Sequence, residues 1–377
     1  MSGAAASNEL PRWIDLVLLP AVNLTVALLV AGIVVLLVGQ SPVQVLTLLI
    51  KGAFGSRIGV SYTCYYATTF VFTGLAVAVA FHGGLFNIGG EGQAMLGGLG
   101  ASLAALALGE QLPSWVMLPL MIGAAALFGM AWAAVPGALQ AWRGSHIVIT
   151  TIMFNFIASA LLIYLLVNTL KEPGNMTPES RAFGPAALLP GMHEMLGWIG
   201  IDWPRTPLNF SVLLAAAAAA AVYLLLWRTQ PGYALRTVGH APDAAAYAGI
   251  SPRAQIVRAM ALSGALAALV GINEIAGVHN RLMADFVAGA GFTGIAVSLI
   301  GRNHPLGIAL AALLFGALYQ GGAELAFEIQ GFSRDMVFTL QGLIVLFAGA
   351  MSQVAAPWLG RLHQRWQRAP MAEAAHG

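Results

Sequence analysis

Ten apolar segments, most of them about twenty residues long, succeed one another along this chain, and no other feature limits its fold so tightly. Backbone N–H and C=O groups cannot stay unpaired in hydrocarbon, so stretches of this length cross a bilayer as α-helices. The segments are residues 16–38, 61–81, 88–108, 115–141, 147–168, 208–227, 256–278, 286–300, 306–327 and 336–356. Residues 43–54 carry Lys51 and are followed by Arg57, and they read as an interfacial helix instead of a span. The expected fold class is all-α: a polytopic membrane protein of about ten transmembrane helices, forming one transmembrane domain over residues 1–377. The run 16–38 is longer than a signal core, and residues 37–41 offer no small-x-small cleavage pattern, so it reads as the first retained span.

Charge supports that reading. Only 8% of the 377 residues are charged, against about 25% in soluble domains. The net charge of +2 is small and dispersed, which argues against nucleic acid as a partner. The single cysteine, Cys64, excludes an internal disulfide and a cysteine-rich metal site.

Between the second and third segments stands His82-Gly-Gly-Leu-Phe-Asn-Ile-Gly-Gly-Glu-Gly-Gln93. Glycine weakens a helix, and a carboxylate is costly in hydrocarbon. Non-helical backbone at membrane depth persists where protein or a water-filled cavity surrounds it. A helix broken here and restarted with Asn87 as its N-cap would aim its N-terminus, with Asn87, Glu91 and Gln93, at a solute. The same residues are compatible with a glycine-rich turn at the membrane surface. Further on, Phe72-Thr-Gly-Leu-Ala-Val77 is echoed by Phe292-Thr-Gly-Ile-Ala-Val297, and each leads into a polar break, at His82 and at Gly301-Arg-Asn-His304. Duplicated halves are common in transporters, although a chain so rich in Ala and Gly also produces such echoes by chance.

With ten spans, one face receives Arg12, Arg143, Arg228, Arg236, Arg253, Arg258, Arg302, Arg361, Arg365 and Arg368. The other receives Lys51, Arg57, Arg281, Arg334 and, in its longest loop, Lys171, Arg181 and Arg205. Long loops weigh less in the positive-inside rule, which places both termini in the cytoplasm. Residues 169–207, with Trp198, Trp203 and repeated prolines, then face outside as a pore cap, a partner seat or an interfacially anchored loop. Residues 228–253 face the cytoplasm. Pro242-Asp243 ahead of Ala244–Tyr247 starts a short helix that ends at Gly249. Such a helix can slot into a groove on a soluble partner, or serve as an ordinary connection.

Catalytic apparatus is missing from the pattern. No Gly-x4-Gly-Lys-Ser/Thr loop occurs, since Lys51 and Lys171 are followed by Gly52 and Glu172, and no Gly-x-Ser-x-Gly elbow occurs. His193-Glu194 begins a zinc-protease-like pattern, but Gly197 stands where the second histidine is needed. Polar groups do interrupt the apolar runs: Asn155, Asn273, Glu274 and Glu324. They read either as groups facing a solute path or as hydrogen bonds between helices. Glu274 has a further possible partner in Arg281, and a proton-coupled carrier titrating Glu91 and Glu274 is an alternative mechanism.

Taken together, Gly84 to Gln93, Gly232 to Ile250, Ala290 to Gly301 and Asn303-His-Pro-Leu-Gly307 resemble the permease subunits of bacterial ABC importers. The resemblance is to the family that serves branched-chain amino acids, simple sugars and nucleosides, most of all its nucleoside and simple-sugar members, and it covers nearly the whole chain. It implies a multi-pass inner-membrane permease translocating nucleosides or simple sugars, with branched-chain amino acids as the alternative solute. The region Gly232 to Ile250 would dock on the ATPase, with Arg236, Gly239, Pro242, Ala245, Gly249 and Ile250 on the family pattern. His240-Ala241 departs from it, where an asparagine-containing pair is more usual. Asn87 to Gln93 would lie beside the translocation path, with Asn155, Asn273 and Glu274 as further path residues. The implied partners are an ATPase with two nucleotide-binding domains in one chain, a second permease, an extracytoplasmic solute-binding lipoprotein and membrane lipid. ATP would be consumed by the ATPase, leaving this chain without a cofactor, a metal or an enzymatic activity.

Overall fold

The computed structural model describes residues 18–174, 176–329, 336–340, 342–343 and 346–347. Most of the segment 336–356, and Arg12, Arg334, Arg361, Arg365 and Arg368, lie outside the described residues. Helices run in the order α1 (Leu19–Leu37), α2 (Pro42–Phe54), α3 (Arg57–His82), α4 (Gly90–Leu108), α5 (Ser114–Arg143), α6 (Ile147–Leu165) and α7 (Met192–Gly197). There follow α8 (Ser211–Arg228), α9 (Gln230–His240), α10 (Pro242–Tyr247), α11 (Pro252–Gly271), α12 (Ala290–Ile300) and α13 (Pro305–Glu328). α6 and α11 are prolonged by π-helical turns, Leu166–Leu170 and Ile272–His279. Among the described residues strand pairing is limited to isolated bridges, Lys171 with Ser180, Glu179 with Met283 and Gly191 with Asn209.

Among the described residues, six helices are long and apolar enough to cross a membrane: α3, α5, Ile147–Leu170, α8, Pro252–His279 and α13. The pair Thr25–Leu37 and Pro42–Phe54 passes the same test together but bends by 117°. The expected span 286–300 is not realised as one. Its first residues lie in a loop, and the helix that follows, α12, has 11 residues, roughly 16 Å against a hydrocarbon core of about 30 Å.

Two compact units are formed, one by residues 50–321 and one by the described parts of Met1–Leu49 and Gly322–Gly377. In the smaller unit α1 buries Ala27, Ala31 and Val35, one position per turn. Val34, Val35 and Val38 line a shallow apolar cleft there with Met336, Thr339 and Leu340.

The larger unit is built around α3. Of its most apolar stretch 83% is buried, whereas the corresponding figure is 28% for α5, α6 and α8, so α3 is sheathed in protein and those three show apolar faces to lipid. α11 packs on α3, α4 and α5, and α12 packs on α3. The buried positions of α5, Met117, Met121, Ala125, Gly129, Ala133 and Gly137, recur every four residues and therefore form one narrow inward stripe. Gly129 meets Gly264 of α11 so closely that a Cβ on either would strike the carbonyl of the other. Lipid offers no hydrophobic drive between helices, so close backbone approach at small residues holds such a crossing together. The echoed segments of α3 and α12 pack on each other, Gly294 against Thr73 and Gly74 against Val297.

Candidate functional site

α3 stops at His82, and the chain turns at Gly84, whose φ of +74° and contact with the backbone of Gly239 both require glycine. α4 then starts at Gly90 with Gly89 as its N-cap, not Asn87. Asn87 instead turns the loop: its Oδ1 accepts the Gly89 N–H at 2.8 Å, an Asx turn that a short amide side chain makes with its own backbone. Its Nδ2 donates to Gln93 Oε1 at 2.9 Å and to Ser263 Oγ at 2.8 Å, and Gln93 Nε2 donates back to Asn87 Oδ1 at 3.2 Å. Asn155 bridges the break from α6, accepting the Gly92 N–H and donating to the Ile88 carbonyl, each at 2.9 Å. Glu91 reaches across to the start of α12, where Oε1 accepts the Gly289 N–H at 2.9 Å and Oε2 the Gly291 N–H at 2.8 Å. A carboxylate there opposes the positive end of the α12 dipole. Asn87, Glu91, Gln93 and Asn155 are thus brought together, engaged by the protein's own groups.

Asn273 and Glu274 form a second network, about 15 Å further along α11 and its π-helical extension than Ser263. Asn273 Oδ1 accepts from Asn209 Nδ2 at 3.1 Å and Ser211 Oγ at 2.6 Å, and its Nδ2 donates to Thr69 Oγ1 at 2.8 Å. The Thr69 hydroxyl donates to Glu274 Oε1 at 2.7 Å, and the Tyr65 hydroxyl donates to Oε2. Arg281 pairs with Glu179 at 3.0 Å and not with Glu274, which is already held by α3. Glu324, expected among the inward-facing groups, is exposed on α13.

Glu274 also lines a cavity of about 260 Å³. Its walls are Tyr65, Tyr66, Thr69 and Phe70 of α3, His279, residues 283–288, Ala290 and Tyr319 of α13. The 280–289 loop holds Asn280, Asp285 and Ala288 at positive φ, the strained backbone that tertiary contacts must sustain. Glu91 pins the far end of that loop at Gly289, so the broken-helix network and the cavity share one structural element. The aromatic wall was not among the expected site residues. Its trace in the sequence is Tyr62-Thr-Cys-Tyr-Tyr66 followed by Thr68-Thr-Phe70, a run of hydroxyls and rings inside an otherwise apolar span.

The segment 171–210 closes over the cavity end of α3. Trp203 Nε1 donates to Ser61 Oγ at 2.8 Å, the Leu189 N–H to Ala276 O at 3.0 Å and the Ser180 N–H to Leu282 O at 2.9 Å. α9 and α10 lie at the other end, since His82 is about 25 Å along α3 from Tyr65. Gly239 packs on the backbone of His82 and Gly84. α10 runs Pro242–Tyr247 and closes at Gly249, φ +79°, which matches the expected short helix; α9 ahead of it was not anticipated. Pro242, Ala244, Ala246, Tyr247 and Gly249 are exposed, Tyr247 to 95%. Ala245 is fully buried, and Arg236, Gly239 and Ile250 are half-buried, so Ala245 and Gly239 fasten the short helix to its own chain instead of presenting it. Beside it, Trp227 is flanked by His82 and His304, with ring centroids at 5.3 and 5.1 Å, so the polar breaks after both echoed segments meet on one indole.

Comparison with known proteins fits this architecture. The profile of a family described as branched-chain amino acid transport system / permease component matches residues 59–349. A glucose ABC transporter permease protein of Haloferax volcanii is 34% identical over 331 residues, 87% of this chain and 86% of the relative. A guanosine ABC transporter permease protein of Bacillus subtilis is 33% identical over 334 residues, 88% of this chain and 93% of the relative. A nucleoside ABC transporter permease protein of Lactococcus lactis is 30% identical over 335 residues, 88% of this chain and 90% of the relative. The chain belongs to the branched-chain amino acid transport system permease component family.

Proposed function

We propose that the chain is a transmembrane subunit of an ATP-driven importer that carries nucleosides or simple sugars across the inner membrane. The observation that carries this reading is likeness over nearly nine-tenths of the chain to permeases named for guanosine, nucleosides and glucose. The geometry supports it: a cavity lies at one end of α3, and an exposed short helix lies about 25 Å away at the other. In this reading the chain spans the membrane about ten times as a single permease domain with both termini in the cytoplasm. It pairs with a second permease, receives solute from an extracytoplasmic lipoprotein and draws energy from an ATPase with two nucleotide-binding domains. The exposed face of α10, with Pro242 and Gly249 at its ends and Tyr247 at its tip, engages the ATPase. Arg236, Gly239, Ala245 and Ile250 hold that face in place, and solute passes the Asn273–Glu274 network while Asn87, Glu91, Gln93 and Asn155 brace the helix break.

Uptake of labelled nucleosides and sugars into cells expressing the full transporter tests the proposal. Uptake is expected to follow cellular ATP and to survive an uncoupler; the reverse pattern would establish a proton-coupled carrier instead. Ala246→Arg combined with Tyr247→Glu, both on the exposed face, is expected to abolish uptake while the chain still reaches the membrane in normal amount. Wild-type uptake by that variant would remove the coupling role of α10.

A further inference from the structure

We infer that the cavity between α3, the 280–289 loop and α13 is a solute-binding site of the permease itself, and that it takes an uncharged nucleoside with the base against the tyrosines. The inference rests on the importer reading and names the solute within it.

Three features of the walls select that chemistry. The first is a cluster of aromatic rings, tilted by 48–67° to one another, with centroids 5.1 Å apart for Tyr65 and Tyr66, 5.7 Å for Tyr66 and Tyr319, and 5.0 Å for Phe70 and Tyr319, so a base can lie on one ring and meet the edge of the next. Every nucleobase has a π-face that stacks on such a surface whatever its hydrogen-bonding edge. The second is charge. Glu274 and Asp285 line the cavity, and neither lysine nor arginine does. A nucleotide phosphate or an amino-acid carboxylate would find acidic side chains there and no lysine or arginine to pair it, so both are disfavoured. The third is the placement of the polar side chains, gathered around Glu274 at one side of the rings. A carboxylate offers about four acceptor positions. Glu274 gives two on Oε1 to Thr69 and Asn273 and one on Oε2 to Tyr65, leaving one on Oε2 for a solute N–H or O–H. Asp285, His279 and the rims of Tyr66 and Tyr319 are the other polar side chains in the lining. A hexose has no π-face to set against the rings, so it gains less from this lining than a base does. A nucleoside concentrates its polar groups at one edge of the base and on the ribose and gives the rest of its surface to the rings. The volume of about 260 Å³ suits one small solute, lying just below the roughly 300–1,000 Å³ of drug-sized pockets.

Equilibrium binding of radiolabelled inosine to the purified full-length chain tests the assignment, with guanosine, guanosine monophosphate, glucose and leucine as competitors. Guanosine is expected to displace the label, and the other three are not. Tyr66→Leu and Tyr319→Leu are each expected to weaken binding about tenfold or more, and Tyr66→Phe and Tyr319→Phe to stay within about twofold of wild type. The phenylalanine variants keep the ring, so they separate lost stacking from a damaged fold. Absence of inosine binding, equal displacement by glucose or leucine, or wild-type affinity in both leucine variants overturns the assignment. ATP-dependent uptake of glucose alone by the full transporter would do the same while leaving the importer reading intact. Absence of ATP-dependent uptake of any of these solutes would sink the importer reading instead.

Discussion

Glu91 is buried and spends both oxygens on the backbone N–H groups of Gly289 and Gly291. Glu91→Ala strands both donors in a buried site, at roughly 1–3 kcal/mol for each unpaired group. The unfolding temperature in detergent is expected to fall markedly, and less for Glu91→Gln, which keeps one acceptor oxygen. Equal melting of Glu91→Ala and wild type would show that the start of α12 does not depend on this carboxylate. Asn155→Leu removes the groups that pair with the Ile88 carbonyl and the Gly92 N–H at the start of α4 and is expected to reduce stability on the same scale. The sequence exposes such residues readily, because a polar atom stands out in an apolar run. It is silent about their partners: Glu91 and Gly289 are 198 positions apart. The exposed Glu324 and the Arg281–Glu179 pair likewise depended on which way a helix or loop finally turned.

At the scale of elements, long apolar helices were legible from length alone, whereas the inward stripe of α5 was not, because nearly every residue of that run is apolar. Gly129→Leu drives a side chain into the carbonyl of Gly264 and is expected to cost about 1–3 kcal/mol or more. Gly123→Ala on the same helix has open space around the new methyl and is expected to be neutral or to add roughly 0.5–1 kcal/mol. Thermal unfolding of the two variants in one detergent checks the contrast, and similar losses in both would dissolve the close-packed crossing. The segment 286–300 misled because apolar composition does not distinguish a lipid-facing span from a loop and short helix sheathed by protein. Phe286 and Val287 are buried against the chain itself, with Phe286 lying over Gly98 of α4. The short helix at Pro242–Tyr247 was legible because proline and glycine punctuate it, but only packing revealed that Ala245 faces inward.

For the whole molecule, the expected sidedness is open to a direct check. In a Cys64→Ala background, Met176→Cys should react with a membrane-impermeant maleimide added to intact cells, since Met176 is almost wholly exposed. Tyr247→Cys should react only after the membrane is opened. Labelling of both from the same side would contradict the arrangement of cavity and short helix on opposite sides of the bilayer. By itself the sequence determined that the chain is helical and membrane-embedded, that residues 82–93 interrupt two apolar helices and, through its motifs, the kinship with permeases; whether that interruption lies within the membrane or at its surface it left open. Those are local or compositional properties, written in runs, gaps and punctuation. Tertiary structure alone decided that Glu91 clasps α12, that the two echoed segments pack face to face, and that Tyr65, Tyr66, Phe70 and Tyr319 close around one cavity with Glu274. Contacts between residues hundreds of positions apart depend on how helices cross and rotate, and small residues at each crossing set that angle through close packing, which no local pattern records.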